Sequence, residues 1–156
     1  LPLPVNPGEA QMKAFLDTNV VVAACIEDHE HHERALQLLA RVLSGKDAGF
    51  TSAHALAEAY AVMTRLPKPL RVSPQSAATL LQENFVKNFE VASFTAKEYG
   101  TLITRAGQAG WVGGLLFGAL HVACAVKTDV ERLYSWNARH LQTVAPEAFR
   151  SRIVVP

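Results

Sequence analysis

The chain has 156 residues, 49% of them apolar, and a formal net charge of +1 with histidines neutral. That length suits one well-buried domain and is short for two, while the longest apolar run, residues 20–26, falls far below the ~20 residues of a membrane span. Near-neutral charge leaves any nucleic-acid partner to a local basic patch, and Cys25 and Cys124, with no Cys-x-x-Cys pair, read as reduced core thiols of a cytoplasmic protein.

Residues 1–11 hold three prolines and a glycine without periodicity. They read as an expression remnant or an unstructured leader, which leaves 12–156 as a single domain. Met12 opens a strand-like segment whose apolar run Ala14-Phe15-Leu16 ends abruptly in Asp17, with Thr18 and Asn19 following. This is the pattern of a buried strand delivering a carboxylate to its C-terminal tip, with Thr18-Asn19 capping a helix through 20–26. His32, Ala35, Leu36, Leu39 and Leu43 recur at helical spacing, so a helix over 31–44 ends near Gly45. Gly49-Phe50-Thr51 reads as a short strand, and 53–65 as a helix that stops before Pro67. The loop 66–72 sets Lys68 and Arg71 among prolines, next to Arg65. Ser73 caps the following helix, with Pro74 at its favoured first position and Leu80, Leu81 and Phe85 as its buried stripe. A strand is expected over 89–94. Thr95 and Glu98 then form a capping box for a helix whose Tyr99, Leu102, Ile103 and Ala106 face inward. Glycines at 107, 110, 113 and 114 break the chain into a loop before a helix from about Gly118 to 126. A strand over 133–135, a last short helix capped by Asn137 and an edge strand over 153–155 complete the pattern. Alternating strands and helices predict a three-layer α/β/α sandwich with a mainly parallel sheet.

In such sheets the ligand crevice lies outside the carboxyl ends of the strands, which makes Asp17 a candidate site residue; simple punctuation of the strand is the alternative. Glu58 stands in a helix of small and apolar residues and shares a stripe with Ala55 and Val62. A carboxylate on a buried face needs a cation or a metal, unless it turns to solvent and pairs with Arg65. Asn137 follows a strand tip as Asp17 does, and a plain N-cap also accounts for it. Arg65, Lys68, Arg71, Arg139 and His140 are candidate phosphate contacts, with solvated surface charge as the alternative. The acid- and histidine-rich stretch 27–33 reads as a solvated helix start favoured by the macrodipole, not as a metal site. His121 reads as a structural histidine, and Trp111 and Trp136 as core or rim residues, one of which can stack on a base.

Taken jointly, Phe15-Leu16-Asp17-Thr18-Asn19-Val20, Thr51-Ser52 with Glu58 behind it, Gly113-Gly114 before a small-residue helix, and Ser135-Trp136-Asn137-Ala138-Arg139-His140-Leu141 resemble PIN-domain ribonucleases. The resemblance is to the toxins of VapBC-type toxin–antitoxin pairs and extends over 12–156. It implies acidic or amide side chains clustered at the carboxyl end of a parallel sheet, holding Mg²⁺ or Mn²⁺. Asp17 and Glu58 match the first two acids, Asn137 the amide that often replaces the fourth, and Ser135 a supporting hydroxyl. The third acid is missing. The family pattern Gly-Gly-x-x-Tyr-Asp-Ala-Leu-His-x-Ala-Cys-Ala is met at its neighbours, but Gly118 stands where the Asp belongs. Losing that carboxylate weakens a site for hard divalent cations, and Asp129 lies beyond the helix and too far along to replace it.

The implied function is metal-dependent hydrolysis of RNA phosphodiester bonds, leaving a 5′-phosphate, by a toxin with a cognate antitoxin. The alternative is a PIN scaffold disabled at Gly118 that binds antitoxin or RNA without cutting. A haloacid-dehalogenase-type phosphatase also begins with a strand-end Asp, but its second Asp is Asn19 here. A homodimer is expected as well, partly from the resemblance and partly because Leu80, Leu81, Phe85, Leu102 and Ile103 look numerous for one small core.

Overall fold

The structure is a computed structural model that describes residues 11–156. The expected leader lies outside the described residues except for Gln11, whose side-chain amide donates to the Gly45 carbonyl at 2.7 Å. The strands β1 (Met12–Leu16), β2 (Asp47–Ser52), β3 (Glu90–Ala92), β4 (Arg132–Tyr134) and β5 (Ile153–Val154) are all parallel, in the order β3-β2-β1-β4-β5. Alternation along β1 sends Phe15 to one face and Leu16 to the other, both fully buried. Leu16 packs with α1 (Thr18–Cys25), α2 (His32–Leu43), α3 (Ala53–Arg65) and α4 (Pro74–Leu81). Phe15 packs with α5 (Ala96–Ala109), α6 (Leu115–Lys127) and α7 (Ala138–Val144). The result is the expected three-layer sandwich.

The chain winds from β1 out to β3, then returns to place β4 on the other side of β1. The two windings therefore diverge between β1 and β4, and a crevice opens at their carboxyl ends, where open α/β sheets bind ligands. Two close contacts hold the β2 edge of this frame. A Cβ on Gly49 would lie 2.6 Å from Val42 Cγ1 and 2.8 Å from Phe89, so β2 can approach α2 only without a side chain there. Arg41 of α2 clasps the buried Asp47 carboxylate with two hydrogen bonds of 2.7 and 3.0 Å, the bidentate geometry guanidinium favours.

Several boundaries differ from expectation for identifiable reasons. Asp17, not Thr18-Asn19, is the N-cap of α1: its Oδ1 accepts from Thr18 N at 2.8 Å. The helix α6 begins at Leu115, so Gly118 is an interior residue and not its opening; Gly118 N already donates to the Gly114 carbonyl at 3.2 Å. Leu115 and Leu116 are good helix formers that, with Phe117, carry the first turn before the glycine is reached. After α4 the backbone continues as a π-turn over Gln82–Val86, which extends the stripe to the buried Phe85. On α5 only Leu102 and Ala106 of the expected inward set are buried, while Tyr99 and Ile103 face solvent. The capping box of Thr95 and Glu98 is present. Cys25 and Cys124 are free thiols, and burial pushes their pKa values up to about 12 and about 11. No helix among the described residues is long and apolar enough to cross a membrane.

Candidate active site

Asp17 leaves β1 with its carboxylate fixed at both oxygens. Oδ1 caps α1, and Oδ2 accepts from Ser135 Oγ at 2.7 Å. Ser135, fully buried just past β4, also accepts from Asn19 Nδ2 and from Asn137 N, each at 3.0 Å. Asn19 closes the loop by accepting from Trp136 N at 3.2 Å. The hydroxyl of Ser135 thus ties the tips of β1 and β4 together and leaves the Asp17 carboxylate few rotamers. Asn137 sits at the N-cap position of α7, but its side chain makes no cap hydrogen bond; the expected capping role falls away, and the amide lines the crevice.

Glu58 faces the same crevice from α3, a site of about 710 Å³ that Asp17, Gly118 and Asn137 also line. Its partners are histidines, not Arg65: Oε2 lies 3.2 Å from His54 Nε2 and 3.6 Å from His121 Nε2. His121, on α6 three residues beyond Gly118, is buried, with Nδ1 3.4 Å from Ser52 Oγ and Nε2 3.9 Å from Asp17 Oδ1. Both carboxylates therefore converge on a single imidazole nitrogen. Burial opposes protonation of His121, yet the Glu58 and Asp17 carboxylates outweigh it and raise its pKa. In return the neighbouring His121 ring holds Glu58 below the usual glutamate value, against the opposing effect of its partial burial. A ring this placed is part of the polar site; the structural reading of His121 is too narrow.

His54 was invisible to the pattern reading. It stands one turn before Glu58 on α3, and its ring stacks on Phe117 of α6 with centroids 5.1 Å apart and planes at 15°. The (i, i+4) spacing to Glu58 is the signal that could have found it.

Of the expected phosphate contacts, Arg65 and His140 line the crevice, whereas Lys68, Arg71 and Arg139 do not. Arg71 is turned back on its own loop, Nε donating to the Leu66 carbonyl at 2.8 Å. In the 27–33 stretch, His29 Nδ1 accepts from His31 N, His32 Nδ1 meets the Ala23 carbonyl, and His31 stacks flat on Trp136 at 4.4 Å. His31 and His32 serve local packing, His29 also lines the crevice, and Trp136 is a rim residue already covered by His31. Trp111 packs at the edge of the core beneath the Arg105 guanidinium.

The donors present suit a divalent cation. Two carboxylates from different elements converge there, and the Thr18 side chain lines the same wall. Gly118 contributes no oxygen. Asp17 after β1, Glu58 on α3 and Asn137 at the start of α7 thus line one crevice of a parallel sheet, as the resemblance to PIN domains implies. The sequence model of the PIN domain family matches residues 14–145, and the chain belongs to that family, whose nucleases depend on divalent metal.

Within it the chain is of the VapC ribonuclease type. It is 32% identical over 128 residues to the ribonuclease VapC27 of Mycobacterium tuberculosis, covering 82% of this chain and 87% of the relative. It is 31% identical over 127 residues to the ribonuclease VapC40 of the same species, covering 81% and 88%. The fold is shared with the crystal structure of Mycobacterium tuberculosis VapC20, a sarcin–ricin loop cleaving toxin, at a TM-score of 0.65 and 17% identity over 86% of this chain and 97% of the other. It is shared also with VapBC2 of Rickettsia felis, bound there to a promoter DNA fragment, at a TM-score of 0.56 and 24% identity over 85% and 92%.

Proposed function

We propose that this chain is the endoribonuclease toxin of a toxin–antitoxin pair, acting in the cytoplasm on RNA phosphodiester bonds. The observation that carries the reading is the convergence of the Asp17 and Glu58 carboxylates on one crevice at the switch point of the sheet. Asp17, Glu58 and Asn137 would hold the divalent ion, Mg²⁺ or Mn²⁺ by the family pattern. When bound, such an ion polarises the scissile phosphate and lowers the pKa of the attacking water. Ser135 and the α1 cap keep the Asp17 carboxylate oriented toward the crevice. Arg65 and His140, which line its wall, would contact the RNA backbone, which carries no sequence information by itself.

The kinship with VapC ribonucleases, and the VapBC assembly of one structural neighbour, support a cognate antitoxin as the protein partner. The homodimer belongs to the same proposal, but its apolar argument narrows. Leu81, Phe85 and Leu102 are spent on the core and Leu80 is half-buried, so that Ile103, with Tyr99 nearby on α5, is what remains exposed of that set.

Gly118 favours a second reading, a scaffold that binds RNA or antitoxin without cutting. One assay separates the two. The purified chain is incubated with a mixed RNA pool, with and without Mg²⁺ or Mn²⁺, alongside Asp17→Asn. Slow, EDTA-sensitive cleavage that Asp17→Asn abolishes is the expected result. RNA binding without cleavage under any divalent ion would favour the scaffold and overturn the nuclease reading.

A further inference from the structure

The same crevice holds a second set of donors. Among the described residues, His54, Glu58 and His121 bring one ligand atom each to within 4.8 Å of one another. Glu58 Oε2 stands 3.2 Å from His54 Nε2 and 3.6 Å from His121 Nε2. Ligand atoms around a tetrahedral ion with bonds of ~2.0–2.1 Å are themselves about 3.3–3.5 Å apart. These two spacings are therefore already close to those of a bound site, and only the two imidazoles must draw nearer.

Both rings are held for the task. His121 has Nδ1 against Ser52 Oγ, and Ser52 is itself fixed by accepting from Ala55 N at 2.9 Å as the cap of α3. A partner on one ring nitrogen that aims the other is the usual support of a metal-ligating histidine. His54 is oriented by its stack on Phe117, and as a half-buried side chain it keeps room to rotate.

We propose that His54, Glu58 and His121 form a nitrogen-rich metal site, selective for borderline transition ions of the Zn²⁺ and Co²⁺ kind over Mg²⁺. Imidazole suits Zn²⁺ and its neighbours, whereas Mg²⁺ asks for oxygen donors in octahedral array. With Gly118 giving no carboxylate, the crevice is short of hard oxygen and supplied with two nitrogens. Three protein ligands leave a coordination position open, as in sites where an ion meets water or substrate. The inference shares with the nuclease reading the premise that this crevice holds metal and the use of Glu58 as a ligand; His54 and His121 belong to it alone.

The test needs no RNA. The tag-free, metal-stripped full chain is titrated with Co²⁺ and followed by visible absorption, then challenged with Zn²⁺ or Mg²⁺. The expected result is one Co²⁺ per chain with a low-symmetry nitrogen-ligand spectrum, displaced by stoichiometric Zn²⁺ and resistant to about a 1,000-fold excess of Mg²⁺. His54→Ala, a change to the best helix former at a partly exposed helical position, should weaken Co²⁺ binding at least about tenfold. His121→Asn should do the same, with far-UV circular dichroism confirming its fold. Equal Co²⁺ affinity in the parent and His54→Ala would overturn the proposal, as would displacement by Mg²⁺ at comparable concentration. RNA cleavage scored on the same samples judges the nuclease reading separately. A chain that binds Co²⁺ through His54 yet cuts no RNA supports this site while sinking that function.

Discussion

Gly118→Asp puts a carboxylate back where the family pattern carries one, and the surroundings let its cost be estimated. The residue is helical, with no left-handed φ, and an added Cβ would stand 3.2 Å from Leu141 Cδ2 and 3.9 Å from Val144 Cγ2. The nearer atom is the tip of a flexible side chain that must yield by a few tenths of an ångström, at about 1 kcal/mol. Removing a glycine from a helix interior recovers up to about 0.5 kcal/mol when Asp replaces it. A carboxylate so near the helix N-terminus adds about 0.3–1 kcal/mol. The fold itself is then nearly indifferent to the change. Electrostatics in the crevice is not. Carboxylates about 6 Å apart repel by roughly 3 kcal/mol per pair at an effective dielectric near 20, and a carboxylate added at position 118 meets repulsion of that order from Asp17 and Glu58, part of which His121 offsets when protonated. Without metal the variant should therefore melt below the parent; with millimolar Mg²⁺ the order should reverse. Mg²⁺ affinity should rise about 10- to 100-fold, equivalent to roughly 1.4–2.7 kcal/mol. Calorimetric titration with Mg²⁺, melts with and without EDTA, and cleavage of one RNA pool by both proteins measure all three effects. If the parent chain already cleaves as fast as Gly118→Asp, the missing-ligand argument is wrong and another group completes the site.

Two further outcomes follow from the same geometry. Ser135→Ala deletes a fully buried hydroxyl that serves Asp17, Asn19 and Asn137 at once, and urea unfolding should register a loss of about 1–3 kcal/mol; an unchanged midpoint would mean the hydroxyl does not organise the two strand tips. In metal-free protein the Glu58–His121 contact should also make stability depend on pH. His121, its pKa raised, contributes fully below 6.5 and loses that contribution as pH climbs through its folded value. Glu58, its pKa lowered, contributes above 4.5 and loses that contribution as pH falls through its folded value. The pair therefore stabilises most between 4.5 and 6.5. Melts in EDTA across roughly pH 4 to 9 should show that maximum, and His121→Asn should flatten it; a parent whose melting temperature keeps rising above about pH 7 contradicts the assignment.

The architecture was readable because local signals agreed with it. The run Ala14-Phe15-Leu16 is buried on both faces because helices cover both, and uninterrupted apolar strands are the mark of such a sheet. The caps at Ser73 and Thr95 act through side-chain oxygens at fixed short spacing, so they survive folding unchanged. Where a boundary differs, the punctuating residue is tolerated by the surrounding helix: Gly118 marks a helix start in the sequence pattern and is interior in the fold. The inward set of α5 was overdrawn because helical periodicity fixes a stripe but not its width. Leu102 and Ala106 fill the available contact with α6, and Tyr99 and Ile103 are left on the flanks.

The site divides along the same line. Asp17, Glu58 and Asn137 stand out as candidates because each interrupts its surroundings: an acid after an apolar strand, an acid in an alanine-rich helix, an amide at the start of a helix after a strand; the fold brings the three to one crevice. His54 interrupts nothing. It follows Ser52 and Ala53 at the start of a helix, where polar residues are ordinary, and its meaning depends on α6 arriving with Phe117 to stack on it and His121 to face it. That meeting is a property of how α3 and α6 pack beside the carboxyl ends of the strands, and no spacing within either helix encodes it. The same packing decides what the absence of a side chain at Gly118 means. In the sequence it is a lost oxygen; in the folded crevice it stands beside two imidazoles that share one carboxylate oxygen. Counting the acids alone describes a weakened magnesium site, whereas counting every donor that reaches Glu58 describes a site whose choice of ion has moved toward nitrogen-loving metals.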